Sequence, residues 1–323
     1  MEHAKSGQLP VLAPNLQISF YYRLQAIRTL YLHEALQETV KGLDIRAIDS
    51  ELASYVSKQA LNKVASSGLR GEVFFAVPCI VHKNPHLLGY YRLLLGFSQK
   101  EFYAKGPFGR FKKLEEDGEI TSATRPSIPA LCKSVIASAK MLVEGIDQLS
   151  LDLVRSLQLL TVGAQLRGSE NTRLGQRAIE QVYGLILEAV RSYATDATRR
   201  TIIVRNKSKR NVLIEFASDP DVRISEKLVS GLRPLVSIEV KGGADVSNVH
   251  NRLGEAEKSH QKAKGRGFFE FWTIVRANVD LADVARESPT TSHFFNLDAI
   301  GKPGSADNQR FREMLCSTVG IPD

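Results

Sequence analysis

The chain has 323 residues, enough for one large domain or two ordinary ones at about 150 residues each. Its composition, 43% hydrophobic and 24% charged, can bury a large core and excludes a chain that is mainly disordered. Lysine and arginine outnumber aspartate and glutamate by 43 to 35, a formal charge of +8, which excludes a strongly acidic protein and makes a polyanion a natural partner.

From the N-terminus, MEHAKSGQLP lacks the charged-then-apolar pattern of a secretion leader. Apolar residues then recur at three- and four-residue steps over 16–43, which predicts a helix. A second helix is expected over 49–65, capped by Asp49 or Ser50. GEVFFAVPC reads as a short strand or a buried extended run; it is the most apolar stretch, but Pro78 breaks it and it is far too short to span a bilayer. Helices are expected at 127–145 and 150–160. GAQLRGSENTRLG, rich in Gly, Asn and Arg, reads as a loop, followed by a helix from 172 to 193. Strands follow at 201–205, 211–216 and 234–240, then a polar helix at 247–263 and a strand at 268–275. The last two strands and their helix fit a βαβ unit with parallel strands. A short helix near 308–318 ends the chain. The expected organisation is a helix-rich region over 1–162, an α/β core over 163–287 and a tail over 288–323. Cys79, Cys132 and Cys316 are too few and too scattered for a disulfide framework or a metal site, and suggest a cytoplasmic protein with no membrane attachment.

PLVSIEVKGG carries the chemistry. Val236, Ile238 and Val240 alternate onto one strand face, expected to be buried, and Ser237, Glu239 and Lys241 onto the other, expected at a surface. Upstream lies Pro220-Asp221, giving Pro-Asp, a gap, and Glu-x-Lys. Mg²⁺ takes oxygen ligands and keeps waters, so Asp221, Glu239 and the Val240 carbonyl suffice as protein ligands. Lys241 can orient a water and stabilise an anionic transition state at phosphorus. The competing reading is a surface ion pair between Glu239 and Lys241 in a non-catalytic DNA-binding protein.

SDPDVRI, PLVSIEVKGG and NVHNRLGEAEKSHQKAKGRGFFEFWTI resemble the catalytic core of type II restriction endonucleases of the PD-(D/E)xK fold, most similar to the XcyI-type group. The similarity continues through LLGYYRLLLGFSQKEFYAKGPFGRF and LQLLTVGAQLRGSENTRLG and covers most of residues 15–300. It implies an α/β fold with a mixed central sheet flanked by helices. It also implies Mg²⁺-dependent double-strand cleavage of DNA leaving 5′-phosphates, at a GC-rich palindrome of the CCCGGG kind. Asp221 and Glu239 take the metal-ligand roles and Lys241 that of the catalytic lysine. A homodimer and a cognate DNA methyltransferase are the implied partners. The superfamily often adds a helix-borne carboxylate, for which Glu180 is favoured over Glu188. A repair or structure-specific nuclease of the same superfamily is the alternative.

Several residues are candidates for DNA contact. In the helix 247–263, Asn251, Arg252 and Lys258 lie apart from an apolar stripe of Val249, Leu253, Ala256 and Ala263, with His260 expected to be buried and hydrogen-bonded. Arg167 and Asn171 belong to the Gly-rich segment. Lys105 and Arg110 lie among Phe102, Tyr103, Phe108 and Phe111, of which Phe102 and Phe108 are expected in the core. A last basic run, Arg199 to Arg210, contains no acid.

Overall fold

The structure is a computed structural model that describes residues 14–104, 106–243, 249–276 and 281–323. It divides into two units, residues 1–168 and 169–323, with the division inside a helix.

In the first unit every described regular element is helical. The predicted 16–43 helix is two, α1 (Asn15–Tyr31) and α2 (His33–Lys41), because Leu32 between them is extended. The predicted 49–65 helix is likewise α3 (Ile45–Tyr55) and α4 (Lys58–Ser66). Asp44 caps the first by accepting from Arg46 N–H and Ser57 the second by accepting from Ala60 N–H, so neither Asp49 nor Ser50 is a cap. GEVFFAVPC is not a strand. A 3₁₀ turn at Gly71–Val73 leads into α5 (Pro78–Lys83), and Phe74 and Phe75 are buried among helices. Next come α6 (Leu87–Leu94), α7 (Gln99–Tyr103), α8 (Lys112–Asp117) and α9 (Ile128–Gly145). Phe102 and Phe108 stack within this helical core, centroids 4.8 Å apart.

At the centre of this unit lies a buried ion pair. Arg92 donates from Nε and Nη2 to the two carboxylate oxygens of Glu115, at 2.8 and 2.7 Å. Tyr103 Oη and Gln99 Nε2 donate to the same carboxylate at 2.7 and 2.9 Å. Burial alone would raise the Glu115 pKa, but these donors more than offset it and hold the group below the ordinary carboxylate range.

The helix that crosses the division, α10 (Leu151–Val190), is 40 residues long. It corrects the expected 163–175 loop: residues 163–175 are helical throughout. Buried positions four apart, Val154, Gln158, Val162 and Leu166, lead into the segment, and Ala178 and Val182 continue the stripe after it. Helix anchored on both sides in this way propagates through the Gly and Asn residues despite their low propensity.

The second unit is built on a seven-stranded sheet whose strands lie in chain order: β1 (Ala194–Ala197), β2 (Thr201–Arg205), β3 (Asn211–Phe216), β4 (Val222–Leu228), β5 (Gly231–Lys241), β6 (Glu270–Val275) and β7 (His293–Asn296). The first five pair antiparallel; β6 and β7 continue parallel to β5. Between β5 and β6 runs α11 (Val249–Gly265), forming the expected parallel βαβ unit. The rest is α12 (Leu281–Glu287), α13 (Leu297–Ile300) and α14 (Ala306–Val319). One face of the sheet, with Ile224, Val236, Ile238 and Trp272, joins one core with α10 and α14. Over the other face, α11 buries Leu253, Ala256, His260 and Ala263. The mixed sheet flanked by helices, with a helix-rich N-terminal half, is the PD-(D/E)xK architecture. Strand β4, not expected from sequence, separates the 211–216 strand from the Glu-x-Lys strand.

Where β5 ends, α10 comes very close. A Cβ on Gly242 would lie 2.5 Å from Ala178 Cβ and 2.6 Å from the Leu174 carbonyl oxygen. Gly242→Ala should therefore cost about 1–3 kcal/mol in urea unfolding. Gly254→Ala, at a position of α11 with no described atom within 4 Å of the added carbon, should be neutral or slightly stabilising. Glu115→Ala, which leaves the Arg92 guanidinium buried without its carboxylate, should cost about 3–5 kcal/mol in the same measurement.

Candidate active site

Antiparallel pairing of β4 with β5 sets Val222 opposite Ile238. It thereby brings Asp221, just ahead of β4, beside the C-terminal end of β5. The Asp221 carboxylate accepts from Val240 N–H at 2.8 Å. On either side of Val240, on the opposite strand face, Glu239 Oε2 accepts from Lys241 Nζ at 2.9 Å. Asp221, Glu239, Val240 and Lys241 are thus gathered at one strand end. The expectation of a surface position for this pair is corrected: Glu239 is only 3% exposed and Ser237 is fully buried, because α11 covers this face. The reading of Glu239 and Lys241 as a solvated surface pair fails on the same observation.

Burial makes these charges interact strongly. It raises the Asp221 pKa, and the nearby Glu239 carboxylate raises it further, to about 6, against the Val240 N–H and Lys241. For Lys241, burial works against the ammonium, but Glu239 and Asp221 outweigh it and hold the pKa above the ordinary value. Two carboxylates in mutual repulsion beside an open strand end form a donor set that suits a hard divalent cation. Among the described residues no group of three or more His, Cys, Asp and Glu is gathered for a metal. Mg²⁺ does not need one, since one or two carboxylates with a backbone carbonyl and waters complete its shell.

The surroundings fix the pair. Arg276 N–H donates to the Lys241 carbonyl at 3.2 Å, and the Arg276 guanidinium donates to Gln181 Oε1 on α10 at 2.7 Å. On the Asp221 side, Arg266 from the end of α11 donates to the Asp219 carbonyl at 2.9 Å, and Lys262 lies 3.5 Å from the Asp219 carboxylate. His260, as expected, is fully buried and hydrogen-bonded, 2.8 Å from Thr273 Oγ1; burial, aided by Lys241, lowers its pKa to about 4. Asp219, Lys262, Arg266 and Gln181 were missed from sequence. Asp219 shares no local motif with Lys262 and Arg266, which lie 43 and 47 positions along the chain from it.

The other predicted residues divide. Glu180 and Glu188 are both exposed, each two positions past a buried residue of α10, Ala178 and Ile186. Two helical positions are about 200° of rotation, so Glu180 points away from the side that meets Gly242 and is not brought to Asp221 and Glu239. The carboxylate of α10 on that side is Glu170, one turn before Leu174, with its side chain 12% exposed and paired to Arg173 at 2.6 Å. Arg252 donates to the Gly243 carbonyl at 2.6 Å and fills the space where a Gly243 side chain would stand. Asn251 and Lys258 are exposed on α11, and Arg167 and Asn171 on α10. Arg110 is exposed, its guanidinium 4.9 Å from the Phe111 ring centroid, while Lys105 lies outside the described residues.

Residues 21–322 match the family described as XcyI restriction endonuclease. The chain is 43% identical over 315 residues to the type II restriction enzyme Cfr9I of Citrobacter freundii, covering 95% of this chain and 96% of that protein. It is 44% identical over 316 residues to the type II restriction enzyme XcyI of Xanthomonas campestris pv. cyanopsidis, covering 96% of this chain and 95% of that one. No described helix is long and apolar enough to cross a membrane. With a family match over nearly its whole length and a mixed sheet that gathers Pro-Asp and Glu-x-Lys at one strand end, the chain belongs to the XcyI restriction endonuclease family, DNA-cleaving type II enzymes of the PD-(D/E)xK superfamily.

Proposed function

We propose that the chain makes Mg²⁺-dependent double-strand cuts at a GC-rich palindrome of the CCCGGG kind and leaves 5′-phosphates. Asp221, Glu239 and the Val240 carbonyl are the residues that would hold the cation. The observation that carries this reading is the buried pair of repelling carboxylates, one already pushed up to about 6, with an ammonium 2.9 Å from the other. When bound, Mg²⁺ supplies Lewis-acid neutralisation of the phosphate and lowers the pKa of a water at the site. Lys241, oriented by Glu239, directs the attacking water and stabilises the charge that builds on the phosphoryl oxygens. The carboxylates keep that ammonium protonated, so it acts as a donor and a charge rather than as a base.

Exposed Asn251 and Lys258 on α11, with Arg167, Asn171 and Arg110, are the proposed contacts to phosphates or bases. Arg252, committed to the Gly243 carbonyl, shapes the chain beyond β5. Glu180 receives no role. Since each chain carries one such site and a palindrome presents two equivalent strands, the working form is a two-fold homodimer. A cognate methyltransferase of the same specificity would protect host DNA.

Phage DNA incubated with the protein and Mg²⁺ should give discrete fragments, and EDTA should abolish them; sequencing the ends reads the site and the cut position. Asp221→Asn should still bind duplex DNA and give no fragments. Fragmentation at the wild-type rate would sink the assignment. The same substitution should stabilise the metal-free protein at neutral pH. A carboxyl whose folded pKa, about 6, exceeds its ordinary 3.8 favours the fold fully below about pH 4 and loses that contribution as pH rises to 6. Asparagine keeps an acceptor for Val240 N–H without the charge. Urea unfolding in EDTA should therefore show an advantage for Asp221→Asn at pH 8 over pH 4, with an upper bound of about 3 kcal/mol.

A further inference from the structure

The basic run from Arg199 to Arg210 is continuous in sequence but not in space. Antiparallel pairing sets Thr201 of β2 opposite Glu215 of β3, and Phe216 of β3 opposite Val222 of β4. The turn before β2, with Arg199 and Arg200, therefore lies at the same end of the sheet as Asp221. The turn between β2 and β3, with Lys207 and Lys209, lies at the opposite end, the five-residue length of β2 away, or about 17 Å at 3.4 Å per residue. There Lys207 N–H donates to the Gly320 carbonyl, and Arg210 is paired with Glu226 at 3.3 Å.

The Arg199–Arg200 turn is tied to the site through the backbone. The Arg200 carbonyl accepts from Phe216 N–H at 2.8 Å, and the next residue, Ala217, donates to the Asp221 carbonyl at 3.0 Å. The turn is also held in shape. Thr198 Oγ1 accepts from Arg200 N–H and Thr201 N–H, and Tyr183 Oη from α10 donates to the Thr198 carbonyl at 2.7 Å. Arg199 and Arg200 are exposed, and among the described residues no acidic side chain pairs with either. From β2 to the end of β5 is three strand spacings, about 14 Å, a span that one DNA backbone covers in a few phosphates.

We infer that Arg199 and Arg200 form a preset clamp for the phosphate backbone of the DNA a few phosphates from the scissile one, and that Lys207 and Lys209 face away from the DNA. This rests on the site at Asp221 and Glu239 being where the strand is cut. A clamp on phosphates binds without reading sequence, so it adds affinity equally for cognate and non-cognate duplex.

Binding to a short duplex containing CCCGGG is to be measured in EDTA over a range of KCl concentrations for three proteins: wild type, R199A/R200A and K207A/K209A. At about 0.9 per neutralised phosphate, the slope of log K against log salt should fall in magnitude by about 1.8 in R199A/R200A and stay at the wild-type value in K207A/K209A. A scrambled duplex should show the same difference. An unchanged slope in R199A/R200A, or an equal loss in K207A/K209A, overturns the inference while leaving wild-type cleavage intact. A wild type that neither binds nor cuts duplex DNA overturns the cleavage reading itself, and the clamp with it. A second measurement needs no variant. Saturating duplex should protect Arg199 and Arg200 of the wild type from phenylglyoxal and leave acetylation of Lys207 and Lys209 unaltered; unprotected Arg199 and Arg200 would be decisive against the clamp.

Discussion

The Asp221 carboxylate is held by one backbone N–H across the junction of β4 and β5, and most of the second unit is arranged so that this contact can exist. It requires β4 to run antiparallel to β5 in the register that sets Val222 against Ile238. It requires α11 to return over the sheet, which buries Glu239 and carries Lys262 and Arg266 to the Asp219 turn. It also requires a glycine at 242, because α10 lies where a side chain would go. Sheet, helix and turn meet at a point that is electrostatically unfavourable to assemble.

The two units answer the same physical problem differently. Glu115 and Asp221 are both taken out of water. Glu115 receives four donors, two from a guanidinium, and its charged form is favoured. Asp221 receives one backbone donor and a second carboxylate as neighbour, and its charged form is disfavoured. The first arrangement is complete by itself and serves packing. The second is held at an electrostatic cost, the mark by which a buried carboxylate becomes a candidate for function rather than packing.

Much of this was legible in the chain. TIIVR and NVLIEF alternate cleanly and form strands with the expected bounds. The run of apolar residues in FEFWTIV marked a strand covered on both faces, and the intervening helix made it parallel to β5. Strand β4 was hidden because VRISEKL carries Arg223, Glu226 and Lys227; its alternation stops after buried Val222 and Ile224, where the register shifts and Ser225 and Glu226 are buried as well. Strands β1 and β7 have four residues each, too few to show a period. In the site, Asp221, Glu239 and Lys241 were visible as a spacing. The clamp of Arg266 and Lys262 on Asp219 was not, since it joins residues that only the return of α11 brings together. The helical placement of Glu170, four before Leu174 and eight before Ala178, was hidden as well, because the Gly and Asn content of the segment reads as a loop.

That same segment has a mechanical meaning. Gly163, Gly168 and Gly175 fall in the middle of α10, and no described atom lies within 4 Å of where their side chains would be, so packing does not demand glycine at any of them. Each lowers local helix stability by about 1 kcal/mol relative to alanine. Together they lower the intrinsic helix propensity of residues 163–175 with no packing gain in return, so the helical state there is held against local preference.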